Sequence, residues 1–297
     1  MRLTNKYNLP ATIMNALERD DYNMGPARMS VTGLLKPPRI GILYRRHREQ
    51  IERDVSDQVW SLFGRAVHTI LEKGGDEEHI PEERLFIEVR GWIISGQLDL
   101  QKLDENRARV VDYKTTTAYA VRQEKQDWVE QLNAYAHLLR VVRGYEIESL
   151  AICAFIRDWN RHMSYQDDYP PAPMQMIDIP LWSPQAAAEF ISERVRIHQE
   201  AQALEDMGGE PVLCSDTERW MRKPQFRVMK GKNKRASRVF SSPEEAQEYI
   251  IQKQGAGYWL EQRPGEPIRC TGDYCNVSAW CSQHQKWKEE NEIPPTN

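Results

Sequence analysis

The stretch from Gly91 to Thr117 restricts the fold of this chain more than any other. Residues Trp92 to Leu103 alternate mostly polar side chains (Ser95, Gln97, Asp99, Gln101) with apolar or small ones (Ile94, Gly96, Leu98, Leu100), the period-2 signature of a strand. Asp104-Glu-Asn-Arg107 supplies turn residues, and Ala108 to Thr115 resumes as a strand rich in β-branched residues. With those four residues as the loop, Leu103 faces Ala108 and paired residue numbers sum to 211 along an antiparallel ladder. Asp99 then lies opposite Asp112, and Lys114 projects from the same face. Carboxylates placed across a strand pair repel each other, a poor choice for stability alone. A divalent cation between them removes the objection, because hard cations such as magnesium are held by one or two carboxylates plus water and substrate phosphate. The same string also fits a solvent-facing hairpin whose charges line up, so the surrounding sequence decides.

Composition sets outer bounds. A chain of 297 residues can bury a substantial core, as one large domain or a domain with an appendage. No apolar run approaches a membrane span, and Met1-Arg-Leu-Thr-Asn-Lys6 lacks the apolar segment of a signal peptide, so the expectation is a soluble cytoplasmic protein. Five cysteines, three of them crowded near the C-terminus, suit a reduced compartment and metal ligation better than a disulfide framework. The net charge of -4 decides little about nucleic acid, since acidic sites offset basic stripes.

Upstream of the hairpin, residues 56–73 read as a helix. Ser56 is its N-cap, and Trp60, Phe63, Val67, Ile70 and Leu71 form its apolar stripe. Gly64 lets that helix approach a sheet closely and brings His68, one turn on, toward whatever the sheet carries. Five arginines between Arg39 and Arg53 either face phosphate or form a solvated helix face. Residues 84–89 read as a strand and residues 124–142 as a helix, on which Gln131 and Tyr135 are neighbours at i, i+4. Strands follow at 148–157 and 176–181, and Ser183-Pro184 opens a long helix running to about Met207. The order is that of a mixed α/β core spanning residues 1–210.

Beyond it, residues 211–269 read as a small α+β insertion. Strands at 225–231 and 235–241 flank a basic turn, Ser242-Pro243 opens a helix, and a third strand falls near 258–262. From Arg222 to Arg238 there are eight basic residues, among them Lys230, Lys232, Lys234 and Arg235, and no acidic one. Such a block suits a nucleic-acid backbone as well as a merely soluble surface. Residues 270–288 form a cysteine-rich closing segment, and residues 289–297 are expected to be a disordered tail.

Taken in order, His68, Gly96-x-x-Asp99, Asp112-Tyr-Lys114-Thr and Gln131-x-x-x-Tyr135 resemble the RecB-like branch of the PD-(D/E)XK nucleases, a branch that includes phage recombination exonucleases and CRISPR-associated exonucleases. The resemblance covers about Ser30 to Arg157. It implies a restriction-endonuclease-like core, a central mixed sheet flanked by helices. It also implies a DNA exonuclease dependent on magnesium or manganese, with His68, Asp99, Asp112 and the backbone carbonyl of Tyr113 on the metal. Lys114 would orient or activate the attacking water, while Gln131 and Tyr135 would contact DNA or support the site. The setting implied is a bacterial or phage-infected cell, and such enzymes often work with a single-strand annealing protein or a helicase. The residue types agree, because phosphodiester hydrolysis needs a metal and a cation at the developing charge. No P-loop or Ser-His-Asp motif competes.

Cys270-x4-Cys275-x5-Cys281 resembles the C-terminal cysteine cluster of iron–sulfur nucleases in this branch, matching the usual second gap and not the first. Their remaining cysteine lies ahead of the core helix, where Leu35-Lys-Pro-Pro-Arg39 carries Pro37, so Cys214 is the candidate in its place. Four thiolates would suit a [4Fe–4S] cluster or zinc, and free thiols are the alternative. Two rival functions stand beside the exonuclease: a non-cleaving DNA-binding recombination accessory protein, and an endonuclease on the same fold.

Overall fold

The computed structural model describes residues 2–19, 23–123, 125–255 and 257–291. They divide into two compact units, residues 1–38 with 52–210, and residues 39–51 with 211–297. In chain order the elements begin β1 (Arg2–Thr4), α1 (Ala11–Glu18), β2 (Met29–Ser30), α2 (Val31–Leu34), α3 (Pro38–His47), β3 (Glu52–Asp54) and α4 (Val59–Leu71). They continue with β4 (His79–Val89), β5 (Trp92–Asp104), β6 (Arg107–Thr116), α5 (Ala118–Val121), α6 (Gln126–Arg143), β7 (Glu146–Ile156), β8 (Met174–Ile179) and α7 (Pro184–Asp206). The remainder is β9 (Met221–Arg222), β10 (Gln225–Lys230), β11 (Arg238–Phe240), α8 (Pro243–Gln252), β12 (Tyr258–Arg263), β13 (Glu266–Pro267), α9 (Ile268–Thr271) and α10 (Ser282–Asn291).

In the first unit a mixed sheet runs β2-β5-β6-β7-β8, with β4 also paired to β5. Arg90 and Gly91 both hold positive φ, 51° and 79°. This left-handed pair forms the two-residue turn that matches the twist of an antiparallel hairpin, here β4 and β5. The β5–β6 ladder keeps the expected register, Leu103 opposite Ala108 and Leu100 opposite Val111. There it stops. On that edge β5 pairs with β2 only through Ile94 and Ser95, so the segment 96–99 has no ladder partner on that side, and β6 goes on alone beside β7.

Helix α6 covers the sheet, burying Leu132, Leu138 and Leu139 completely against residues such as Ile94, Leu98 and Ile152. Its C-cap is Gly144 at φ 72°, the left-handed position glycine favours. Gly96 makes the close approach possible, since a β-carbon there would lie 2.8 Å from Leu138 Cδ2 and 3.0 Å from the Tyr135 ring. Gly96→Ala is therefore expected to cost about 1–3 kcal/mol in urea unfolding, with the Tyr135 ring forced to move. The long α7 has the expected start, Ser183 Oγ accepting the Ala186 N–H and Pro184 in the first turn.

Helix α4 departs from expectation. Asp54, not Ser56, accepts the capping hydrogen bond, from the Ser56 N–H, and a 3-10 turn over Val55–Gln58 precedes the α-helix. A carboxylate is the stronger acceptor, and it moves the start upstream. The helix's apolar stripe is largely at the surface: Trp60, Phe63 and Ile70 are exposed, and no residue of α4 is buried.

In the second unit, β11-β10-β12 form a three-stranded sheet whose Phe226 and Val228 pack with Ala246 of α8. Ser242 Oγ caps α8 at the Glu245 N–H, as expected. A second cluster in this unit joins Leu43 and Ile51 to Cys275, Val277 and Cys281. Arg39 does not face outward to phosphate as the basic run suggested; it is 1% exposed. Helix α10 reaches Asn291, so the start of the expected disordered tail is helical, and residues 292–297 lie outside the described residues.

Candidate active site

The place where β5 and β6 part collects most of the expected residues. In the ladder's absence the Tyr113 backbone N–H donates to Asp99 Oδ2 at 2.7 Å, so a carboxylate takes the part of a strand carbonyl. Asp99 Oδ1 lies 3.4 Å from His68 Nδ1, which α4 brings over the sheet. That approach does not depend on Gly64: a β-carbon there would sit 3.5 Å from Thr115 Oγ1, an ordinary van der Waals contact. On the neighbouring strand Asp112 is 1% exposed, and its Oδ2 is 2.6 Å from Lys114 Nζ. The two aspartates are not a ladder pair, because the strands separate one residue before they would meet.

Behind Asp112 stands α6. Gln131 Nε2 donates to Asp112 Oδ1 at 3.2 Å and to the Tyr135 hydroxyl at 2.9 Å. Gln131 and Tyr135 are both buried, and Gln131 stands where it supports Asp112.

Glu82 was not among the expected residues. Its Oε1 lies 3.1 Å from His68 Nδ1, its other oxygen accepts from the Gln97 amide, and it holds a left-handed φ of 53°. Pro81 opposite Leu100 and Glu83 opposite Leu98 bracket it, placing it across from Asp99. A non-glycine residue kept in that conformation inside a strand is a strained one, and strain of this kind gathers at functional sites. Among the described residues, His68, Glu82 and Asp99 are the one group with ligand atoms all within 4.8 Å of one another. A set of two carboxylates and an imidazole suits a hard or borderline divalent cation. Asp112 is not part of that group; it pairs with Lys114 instead.

The charge states follow from these contacts. Hydrogen bonds to Asp99 and Glu82 favour the imidazolium and push the His68 pKa up to about 10. Burial pushes Asp112 above the usual carboxylate range, the Asp99 charge adds to this, and Lys114 opposes it.

In the second unit, Cys214, Cys270, Cys275 and Cys281 line one cavity together with Arg39. The guanidinium donates to Cys281 Sγ at 3.2 Å, to Ser282 Oγ at 2.6 Å and to the Pro211 carbonyl. Burial raises the thiol pKa values, to about 12 at Cys214 and about 11 at Cys270. Cys153 lies elsewhere, half-buried on β7. Lys230, Lys232, Lys234 and Arg235 are exposed around the β10–β11 turn.

Residues 75–282 match the family model described as the PD-(D/E)XK nuclease superfamily. That is 208 of 297 residues, and the chain belongs to this superfamily, whose members are metal-dependent nucleases. The mixed sheet flanked by helices is its restriction-endonuclease-like core. Among solved structures, the crystal structure of SSO0001 is 16% identical with a TM-score of 0.40, covering 63% of this chain and 82% of that one. A protein named "Putative exonuclease" from Eubacterium rectale is 13% identical with a TM-score of 0.32, covering 56% of this chain and 59% of that one. No protein of curated function matches the chain. No helix among the described residues is long and apolar enough to cross a membrane.

Proposed function

We propose that this protein is a magnesium- or manganese-dependent DNA exonuclease, working in phage recombination or bacterial DNA repair. The observation that carries the reading is the gathering of His68, Asp99, Asp112 and Lys114 where β5 and β6 separate. In it His68, Asp99 and Glu82 would hold the cation, with Asp112 and the Tyr113 carbonyl completing the set. When bound, such a cation acts as a Lewis acid on the phosphate and makes water a usable nucleophile at neutral pH. Lys114 places its ammonium beside the reacting phosphate, where negative charge develops. Gln131 holds Asp112 in position from behind.

Linear duplex and covalently closed circular DNA, each incubated with magnesium or manganese beside a Lys114→Ala control, provide the test. Loss of the linear form alone supports an exonuclease, and nicking of the circle supports the endonuclease alternative. No cleavage of either form with either metal leaves the DNA-binding accessory reading. A single-strand annealing protein or a helicase is the partner class this reading favours.

The exposed Lys232, Lys234 and Arg235 are assigned to the DNA backbone, with Lys230 beside them at 5.2 Å over the Tyr258 ring. Replacing those first three with alanine is expected to lower the slope of log Kd against log salt by about one per residue, near-uniformly across DNA sequences.

The four cysteines are assigned to a second metal centre. Tetrahedral zinc with bonds of ~2.3 Å draws its sulfurs to within about 4 Å of each other. A [4Fe–4S] cluster, also held by four thiolates, is the first expectation, with zinc the alternative. Arg39 offsets part of the thiolate charge. Anaerobically purified protein is expected to carry iron and a broad visible absorption band, both lost in Cys214→Ser. Stoichiometric zinc without colour would decide for zinc, and metal-free protein would return the cysteines to free thiols.

A further inference from the structure

The surface of α4 carries something the metal site does not use. Trp60 is 47% exposed and Phe63 is 55% exposed, with ring centroids 5.9 Å apart. The Arg157 guanidinium lies over the Trp60 ring at 4.1 Å from its centroid. Arg157 is itself exposed and is anchored by its backbone N–H to the Thr116 carbonyl at 2.9 Å, at the end of β6. Trp60, Gly64 and His68 follow at i, i+4 and i+8, so they share the helix face that approaches the sheet. At 1.5 Å per residue, Trp60 stands about 12 Å along the helix axis from the histidine of the metal site.

We infer that Trp60, Phe63 and Arg157 form a subsite for unpaired nucleotides of a DNA strand, next to the scissile phosphate; this rests on the nuclease reading for its position. The argument is one of chemical match. An exposed aromatic face offers stacking to a base, and a guanidinium held over the same ring offers hydrogen bonds to phosphate. Base faces in a duplex are covered by their neighbours, so only an unpaired base can use the indole. A face meant for the core would not have an exposed arginine stacked on it. The subsite is continuous with the metal site along one helix face, which gives a single strand a path from the stacked bases to the metal. The proposal commits to single-stranded DNA, including the frayed end of a duplex.

The test measures binding in EDTA, which keeps DNA intact and removes the metal from the comparison. Fluorescein-labelled oligothymidylate and a blunt duplex of the same length are titrated with wild type, Trp60→Ala, Trp60→Phe and Arg157→Gln. The expected result is a loss of single-strand affinity on the order of tenfold to a hundredfold in Trp60→Ala, recovery in Trp60→Phe, and little change on the duplex. Arg157→Gln should weaken single-strand binding and lower its salt dependence. Equal single-strand affinity in wild type and Trp60→Ala overturns the proposal. So does a shift from oligomer to monomer in sedimentation with DNA binding unchanged, which would make this face a contact between copies. If Trp60→Ala does not fold, judged by circular dichroism melting, Arg157→Gln carries the decision, and unchanged single-strand affinity and salt dependence in it overturn the proposal. Trp60-dependent binding in a protein that cleaves no DNA would sink the nuclease reading and leave the subsite standing.

Discussion

Asp99→Ala is expected to lower DNA cleavage by about three orders of magnitude, the scale seen when a group stabilising the transition state is removed. Asp99 does two things, and the substitutions separate them. Its Oδ1 faces His68, and its Oδ2 accepts the Tyr113 N–H that the parting strands leave without a carbonyl. Alanine removes both, so activity falls and the orphaned donor costs about 1–3 kcal/mol of stability. Asparagine keeps an acceptor for Tyr113 and loses the charge. Asp99→Asn should therefore match alanine in activity and wild type in its unfolding midpoint. If Asp99→Asn retained cleavage near wild type, the carboxylate would not be a metal ligand.

Asp112→Asn should be equally inactive and, in metal-free buffer at pH 7.5, more stable than wild type by about 1–3 kcal/mol. The sign comes from burial. Asp112 titrates above the ~3.9 of an unfolded aspartate, so between the two values the folded protein binds more protons than the unfolded chain. Stability then falls as pH rises through that window. The advantage of Asp112→Asn should shrink as pH is lowered toward 4, and added magnesium or manganese should restore wild type at pH 7.5. His68 contributes with its own sign. Its raised pKa gives stability that is full below about 6.5 and lost only as pH rises through about 10. Since a ligating histidine must be neutral, metal binding near pH 7.5 should release about one proton, seen by calorimetry in buffers of different ionisation enthalpy. Binding without proton release would remove His68 from the ligand set.

Much of this site's geometry is legible in the sequence. The alternation from Trp92 to Leu103 and the turn at 104–107 gave the ladder, and the observed pairs follow it from Asp104 and Arg107 to Leu100 and Val111. The pattern could not reveal where pairing stops, because the alternation runs on through Asp99 whether or not the strands stay paired. Glu82 was missed for a local reason. Read as a two-residue turn, Arg90-Gly91 sets Val89 opposite Trp92, and the same counting puts Glu82 across from Asp99. The signal was present in the sequence and lay one hairpin upstream of the one considered. The exposure of Trp60 and Phe63 is not legible in the sequence, because helical periodicity reports that a face is apolar without saying what covers it. Arg39 was hidden by its neighbours, since a run of arginines gives no hint that one of them is buried among thiols.

The division of the second unit has a consequence for how the chain is made. Residues 39–51 leave the ribosome early, yet Leu43 and Ile51 pack with Cys275 and Cys281, and the Arg39 guanidinium bonds to Cys281 and Ser282. About 230 residues separate Ile51 from Cys281, which at roughly 5–20 residues per second is some 10 to 50 s of synthesis. During that interval Leu43 and Ile51 wait without their partners. The second unit can first close only once Cys281 and Ser282 have been made.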